Sequence, residues 1–207
     1  MSFAEQLAEC RVLPVITARD VEATVHMTHA LERGGIRAVE ITLRTQSALA
    51  AITAVKSAAP HLVVAAGTVT TPRDLDQALE AGADFCVSPG LTVSLLQAAA
   101  QNKVRLLPGV ATASEVMLGL DNGFDVFKLF PAVAAGGMEL LRSLSGPFPQ
   151  VRFCPTGGLG PDNFRDFLAL PNVICCGGSW MVRQELVDSG DWREIEELSR
   201  QAMRAEV

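Results

Sequence analysis

Residues 12–43, VLPVITARDVEATVHMTHALERGGIRAVEITL, contain the unit whose reading decides the fold. Val12 to Thr17 and Ala38 to Leu43 are short runs of β-branched and apolar residues, the composition of strands. Between them Asp20 caps a helix with Val21, Val25, Thr28 and Leu31 on its apolar face, and Gly34-Gly35 ends it. Six more runs of the same kind follow: Leu62 to Thr68, Phe85 to Ser88, Val104 to Pro108, Phe124 to Phe130, Arg152 to Thr156 and Val173 to Gly177. They recur about every two dozen residues, which is room for a strand, a helix and two short loops, the βα period of a parallel sheet. A short helix over residues 2 to 10 precedes the first strand. Asp191 opens a last helix carrying Trp192, Ile195, Leu198 and Met203 on one face.

Eight βα units in succession build an open doubly wound sheet or a closed (β/α)8 barrel, and closure is the commoner outcome at that count. The expectation is therefore an α/β protein with a single (β/α)8 TIM barrel domain over residues 1–207, preceded by the short N-terminal helix. This length lies at the small end of that fold, leaving no room for a long lid or an inserted domain.

Composition then narrows the functional classes. Seventeen Lys and Arg against 23 Asp and Glu give a net charge of −6, and no basic run is present to neutralise successive phosphates, so no nucleic-acid partner is expected. The 5 cysteines form no C-x-x-C pair in a chain long enough to fold without disulfides, which points to a reducing cytoplasm. The first residues lack a basic start followed by an apolar stretch, and nowhere do 18 apolar residues run together, so neither export nor a membrane partner is expected.

Two strands carry charge where a core-facing side chain is due. In Ala38 to Leu43, Val39, Ile41 and Leu43 share the face toward the helices, which turns Glu40 and Thr42 inward. In Phe124 to Phe130, Lys128 shares its face with Phe124, Val126 and Phe130, three residues before Pro131 at the C-terminal rim where barrel enzymes hold their chemistry. The competing reading is a structural ion pair between Glu40 and Lys128, or a lysine whose stem snorkels out to water. Buried charges contribute little net stability and cluster at working sites, which favours a function. In general a lysine amine titrates near 10.4 in water, and desolvation that lowers this to about 8 leaves nearly one in ten neutral at pH 7. A neutral amine adds to a ketone and forms an iminium, an electron sink for an adjacent carbon–carbon bond, and a carboxylate beside it moves the protons. Arg44 lies about 13 Å beyond Glu40 along an extended strand, too far for a pair; its two-pronged donors match a substrate carboxylate, and its position equally fits a surface arginine leading into the next helix.

Thr156-Gly157-Gly158 follows the seventh strand and Gly177-Gly178-Ser179 the eighth; either alone reads as a turn, but together they occupy the two loops from which such barrels build phosphate sites. Neither is a dinucleotide fingerprint or a phosphate-binding loop ending in Gly-Lys-Ser/Thr, so no nucleotide cofactor is expected. His26, His29 and His61 sit away from strand ends, and no convergent set suits a catalytic metal. Cys154, Cys175 and Cys176 have no histidine placed to activate them and read as small core hydrophobes.

Val39-Glu40-Ile41-Thr42-Leu43-Arg44-Thr45, Ala66-Gly67-Thr68-Val69, Ser88-Pro89-Gly90, Leu107-Pro108-Gly109, Phe127-Lys128-Leu129-Phe130-Pro131-Ala132, Arg152-Phe153-Cys154-Pro155-Thr156-Gly157-Gly158 and Gly177-Gly178-Ser179-Trp180 together closely resemble the 2-keto-3-deoxy-6-phosphogluconate (KDPG) aldolase family. The resemblance runs in order from about residue 12 to residue 181, with Ala65 standing where many relatives have glycine. It implies a class I, metal-independent aldolase on a trimeric (β/α)8 barrel. Lys128 would form the Schiff base and Glu40 would be the general acid and base. Arg44 with Thr68 would hold the pyruvyl carboxylate, and Pro89 and Phe130 would line that pocket. Gly157, Gly158, Gly178 and Ser179 would take the phosphate, with Thr156 near the reacting carbons. The implied partners are a phosphorylated 2-keto sugar acid, pyruvate, glyceraldehyde 3-phosphate and further copies of the chain. Alternatives within the chemistry are 4-hydroxy-2-oxoglutarate and the galactonate epimer of KDPG. Outside it stand a phosphosugar isomerase, which needs no buried amine, and a non-catalytic phosphosugar-binding protein.

Overall fold

Strand and helix alternate along residues 3–204, the part of the chain that the computed structural model describes. The strands are β1 (Val12–Ile16), β2 (Ala38–Thr42), β3 (Val63–Gly67), β4 (Phe85–Val87), β5 (Leu106–Leu107), β6 (Gly109–Val110), β7 (Val126–Leu129), β8 (Arg152–Pro155) and β9 (Cys176–Gly178). The helices are α1 (Phe3–Cys10), α2 (Val21–Arg33), α3 (Ala48–Ala58), α4 (Pro72–Glu80), α5 (Val93–Gln101), α6 (Ala113–Asp121), α7 (Gly137–Ser145), α8 (Phe164–Leu168), α9 (Gln184–Asp188) and α10 (Trp192–Met203). Helix α1 supplies the expected N-terminal helix, and residue 2, with which the expected span began, lies outside the described residues.

The strands form a six-stranded sheet, β5-β4-β3-β2-β1-β9, and a three-stranded sheet, β6-β7-β8, all paired in parallel. This differs from the single eight-stranded sheet expected from the sequence, and Pro108 accounts for one of the two seams. It has no N–H to continue a ladder. Leu106 and Leu107 therefore pair with β4 on one side of it, and Gly109 and Val110 with β7 on the other. At the other seam, isolated bridges Phe153–Val173 and Thr156–Gly177 join β8 to the last strand segment, which enters its ladder with β1 only at Cys176. Pro14 stands in β1 where partners change. Val12 to Pro14 pair with β9, and Val15 and Ile16 pair with β2.

Side-chain alternation sorts the apolar residues into two layers. Val39 and Ile41 of β2 and Phe127 and Leu129 of β7 belong to the outer apolar layer, which also takes in Leu31 of α2 and Ile52 of α3. Leu13, Ala38, Ala65, Phe85, Leu107 and Val126 point inward and form an apolar floor. Helix α1 closes that end with Leu7 and Cys10, and the Phe3 ring meets Phe85 edge-on at 5.3 Å.

Asp20 caps α2 as expected, its Oδ1 accepting from the Ala23 amide at 2.8 Å. The buried stripe of α2 is Thr24, Met27, Thr28 and Leu31, while Val21 and Val25 are half-buried. The face is turned because α2 packs on α10 as well as on the sheet. Helix α10 correspondingly buries Ile195, Ser199 and Ala202 and leaves Trp192, Leu198 and Met203 half-buried.

All 5 cysteines are free and buried. Burial pushes the Cys10 thiol up to about 11 and Cys86 up to about 12. Cys176 is raised by burial, and Cys175 by a hydrogen bond with Cys154 and then by burial. A thiol with a pKa near 11 is about one part in a thousand thiolate at pH 8, and the thiolate is the nucleophile. Iodoacetamide at pH 8 is therefore expected to leave the native protein unmodified over a period in which urea-unfolded chain is alkylated at every cysteine. Rapid labelling of the folded protein, read by mass spectrometry, would contradict the burial of these thiols in the two apolar layers.

Candidate active site

Glu40 and Lys128 stand on inward positions of β2 and β7, two residues beyond Ala38 and Val126 of the apolar floor. Two residues of strand rise about 7 Å, so both charges sit above the floor and toward the C-terminal ends of the strands. The Lys128 Nζ donates to Glu40 Oε1 at 3.0 Å and Oε2 at 3.1 Å. Lys128 is 4% exposed and Glu40 1%. This pair is a contact between the two sheets, with its partners 88 residues apart in sequence.

Gly67 of β3 makes room for the pair. A Cβ at that position would stand 2.3 Å from Glu40 Oε1, so any side chain would displace the carboxylate. The residue is visible in the sequence within Ala66-Gly67-Thr68, but its steric purpose is a tertiary contact. The inward Thr42 is buried and donates its hydroxyl to the Ile16 carbonyl at 2.9 Å, fastening β2 to β1.

Arg44 lies on the exposed rim just past β2, and its Nε donates to Thr68 Oγ1 at 3.1 Å. Thr68 has φ +60°, a left-handed conformation that a β-branched residue adopts at a penalty of about 1–3 kcal/mol and that recurs at functional sites. The turn brings its hydroxyl to the guanidinium.

Arg44, Lys128, Phe130 and Thr156 border a cavity of about 150 Å³, together with Gly157, Gly158, Gly178 and Ser179 of the two glycine loops. The Phe130 ring centre is 5.4 Å from Nζ. Gly157 and Gly158 have φ +100° and +81°, and a Cβ on Gly158 would meet Val133 Cβ at 2.7 Å, so the loop requires glycine at both positions. Val15 and Leu159 add apolar walls that no motif had marked. Three of the expected residues stand behind the cavity lining. Glu40 reaches the cavity through Lys128, and Thr68 through Arg44. Pro89 packs on Gly109, the register partner of Lys128, where a Cβ would meet the Pro89 carbonyl carbon at 2.3 Å.

A larger cleft of about 510 Å³ lies at the opposite ends of the strands, bordered by Glu9, Glu32, Arg37 and His61. No lysine borders it, whereas the buried amine of Lys128 borders the smaller cavity. His26 and His29 lie on α2 at 3.8 and 3.7 Å from Glu22 and Glu32.

The arrangement can do specific chemistry. A shielded amine and a carboxylate exchange a proton directly, beside a space sized for a small carbonyl compound. A guanidinium on its rim suits a carboxylate. Glycines at the C-terminal ends of the last strands let the backbone approach an anion.

Comparison with known proteins identifies the family. The family model for KDPG and KHG aldolase matches residues 3–198. The chain is 50% identical over 192 residues to the KHG/KDPG aldolase of Escherichia coli (strain K12), covering 93% of this chain and 90% of that protein. It is 51% identical over 195 residues to the 2-dehydro-3-deoxy-phosphogluconate aldolase of Pseudomonas aeruginosa, covering 94% and 89%. The crystal structure of KDPG aldolase from Legionella pneumophila, with pyruvate captured at low pH as a covalent carbinolamine intermediate, superposes with a TM-score of 0.95 at 42% identity over 98% of both chains. The Zymomonas mobilis ZM4 enzyme with 3-phosphoglycerate superposes at 0.93 with 43% identity, over 99% of this chain and 96% of that one. With its inward lysine, carboxylate partner and paired glycine loops in family order, the chain belongs to the KDPG and KHG aldolase family.

Proposed function

We propose that this protein is a class I, metal-independent aldolase that reversibly cleaves 2-dehydro-3-deoxy-6-phosphogluconate to pyruvate and glyceraldehyde 3-phosphate. The observation that carries the reading is the buried Lys128 amine at 3.0 and 3.1 Å from the two oxygens of Glu40, on the border of a cavity rimmed by Arg44. The pyruvate carbinolamine of the Legionella enzyme and the 3-phosphoglycerate in the Zymomonas enzyme support it, since pyruvate is one half of such a substrate and 3-phosphoglycerate is the acid counterpart of the other, glyceraldehyde 3-phosphate.

Lys128 Nζ, having passed a proton to Glu40, adds to the C2 ketone to give a carbinolamine. Glu40 returns the proton as water leaves, and an iminium forms. The carboxylate of Glu40 then takes the proton of the C4 hydroxyl. The C3–C4 electron pair moves toward the iminium nitrogen, releasing glyceraldehyde 3-phosphate and leaving an enamine on Lys128. Protonation at C3 and addition of water release pyruvate and the free amine. Arg44, steadied by Thr68, holds the substrate carboxylate, and Phe130 and Pro89 shape that end. Thr156 lies beside the reacting carbons, and Gly157, Gly158, Gly178 and Ser179 receive the phosphate.

The same reading treats residues 1–207 as one (β/α)8 domain whose two sheets are arcs of a closed barrel. The Glu40–Lys128 bond across the interior, the chain running through Pro108 and the bridges at Phe153 and Thr156 support it. The assembly is a homotrimer, for which the exposed Val93 and Met117 offer apolar surface to a neighbouring copy. The reaction takes place in the cytoplasm, where free thiols persist. Among the described residues no helix is long and apolar enough to cross a membrane.

Pyruvate with sodium borohydride is expected to add the mass of one reduced pyruvate to the peptide containing Lys128. An active protein left unlabelled there would refute the imine. Rates of pyruvate release from KDPG, its galactonate epimer and 4-hydroxy-2-oxoglutarate, compared on one preparation, rank the substrates.

A further inference from the structure

The cavity at Lys128 has a neighbour. Val15 and Ser179 border it and also a second cavity of about 450 Å³, so the glycine-lined end that would receive the phosphate abuts this larger space. Arg19, just past β1, and Arg183, just before α9, border the second cavity. Among the described residues neither guanidinium has an ion-pair or hydrogen-bond partner, whereas Arg33, Arg142 and Arg200 each face a glutamate. Glu185 borders the same cavity, which leaves two cations against one anion.

We propose that Arg19 and Arg183 are specificity residues for the distal phosphate, completing from the second cavity the cradle formed by Gly157, Gly158, Gly178 and Ser179. The proposal rests on the aldolase reading and deepens it. Backbone amides and a serine hydroxyl contact a phosphate without neutralising it. A guanidinium offers five fixed donors and a permanent charge matched to a phosphate dianion. Both arginines are exposed, so their attraction acts through water and weakens with salt. Their role is to favour phosphorylated substrates over short ones that stop at a carboxylate.

The test compares KDPG with 4-hydroxy-2-oxoglutarate in wild type, Arg19→Ala, Arg183→Ala and the double variant, at low and high ionic strength. In the double variant KM for KDPG is expected to rise about ten-fold with kcat little changed, and the KDPG to 4-hydroxy-2-oxoglutarate ratio of kcat/KM to fall by the same factor. The wild-type KM for KDPG rises with salt, and that dependence flattens in the double variant. An unchanged ratio and salt dependence would overturn the proposal, and so would an equal loss on both substrates, which would indicate a structural role. Borohydride trapping of pyruvate on the same proteins separates the two claims. Trapping with an unchanged ratio removes the arginines and leaves the aldolase, while failure to trap on wild type removes the reaction itself.

Discussion

Lys128→Ala is expected to lower kcat/KM for KDPG cleavage by about four to six decades, to abolish borohydride trapping of pyruvate and to stop exchange of the pyruvate methyl protons with D2O. All three steps pass through a covalent bond to one nitrogen, so they should fall together. Alanine alone is ambiguous, because it leaves the Glu40 carboxylate buried without a cation, and breaking a buried pair in this way costs about 3–5 kcal/mol. Lys128→Arg resolves this. A guanidinium keeps a positive charge for Glu40 but stays protonated and cannot add to a ketone. Inactive Lys128→Arg protein with a melting temperature near that of wild type assigns the loss to the missing nucleophile. Substantial turnover in a correctly folded Lys128→Arg protein would sink the Schiff-base mechanism.

The parts of this site that were legible in the sequence are those governed by a local period. Glu40 and Lys128 interrupt apolar runs on positions where alternation demands an inward side chain, so their burial could be read without a fold. Their pairing is open to the sequence as one reading, but no local period decides it, because it joins residues 88 apart and depends on how two sheets face one another. Strand length separates Arg44 from Glu40, but the tie of Arg44 to Thr68 needs a left-handed backbone that threonine gives no local sign of adopting. Pro108 was visible as the end of a strand, yet the chain continues pairing beyond it with a different neighbour, a choice made by the packing of whole strands. The buried faces of α2 and α10 are turned slightly from their apolar periodicity because contact between the two helices competes with contact to the sheet. Arg19 and Arg183 carry no periodic or motif signal. Their interest comes only from the wall that two cavities share.

Glu40→Gln is expected to slow KDPG cleavage by about two to four decades, the range that a positioned acid and base contributes. Glutamine matches the shape of the carboxylate, which matters because the backbone of Gly67 leaves no slack around Oε1. The amide still accepts a hydrogen bond from the Lys128 amine but cannot take up a proton. Imine formation needs a proton delivered to a leaving hydroxyl, which water can supply slowly, so trapping of pyruvate on Lys128 should persist with longer incubation. Breaking the C3–C4 bond needs the C4 hydroxyl proton removed inside a site shielded from solvent, where water substitutes poorly. Deuterium entry into the pyruvate methyl group reports the proton transfer at C3. A Glu40→Gln protein that traps pyruvate but has lost both cleavage and exchange places both transfers on this carboxylate. Exchange at the wild-type rate with cleavage lost would move the C3 proton to another group or a water and leave Glu40 the C4 hydroxyl alone. Wild-type cleavage would make the buried pair a structural ion pair after all, with its charge contributing to the fold and not to the reaction.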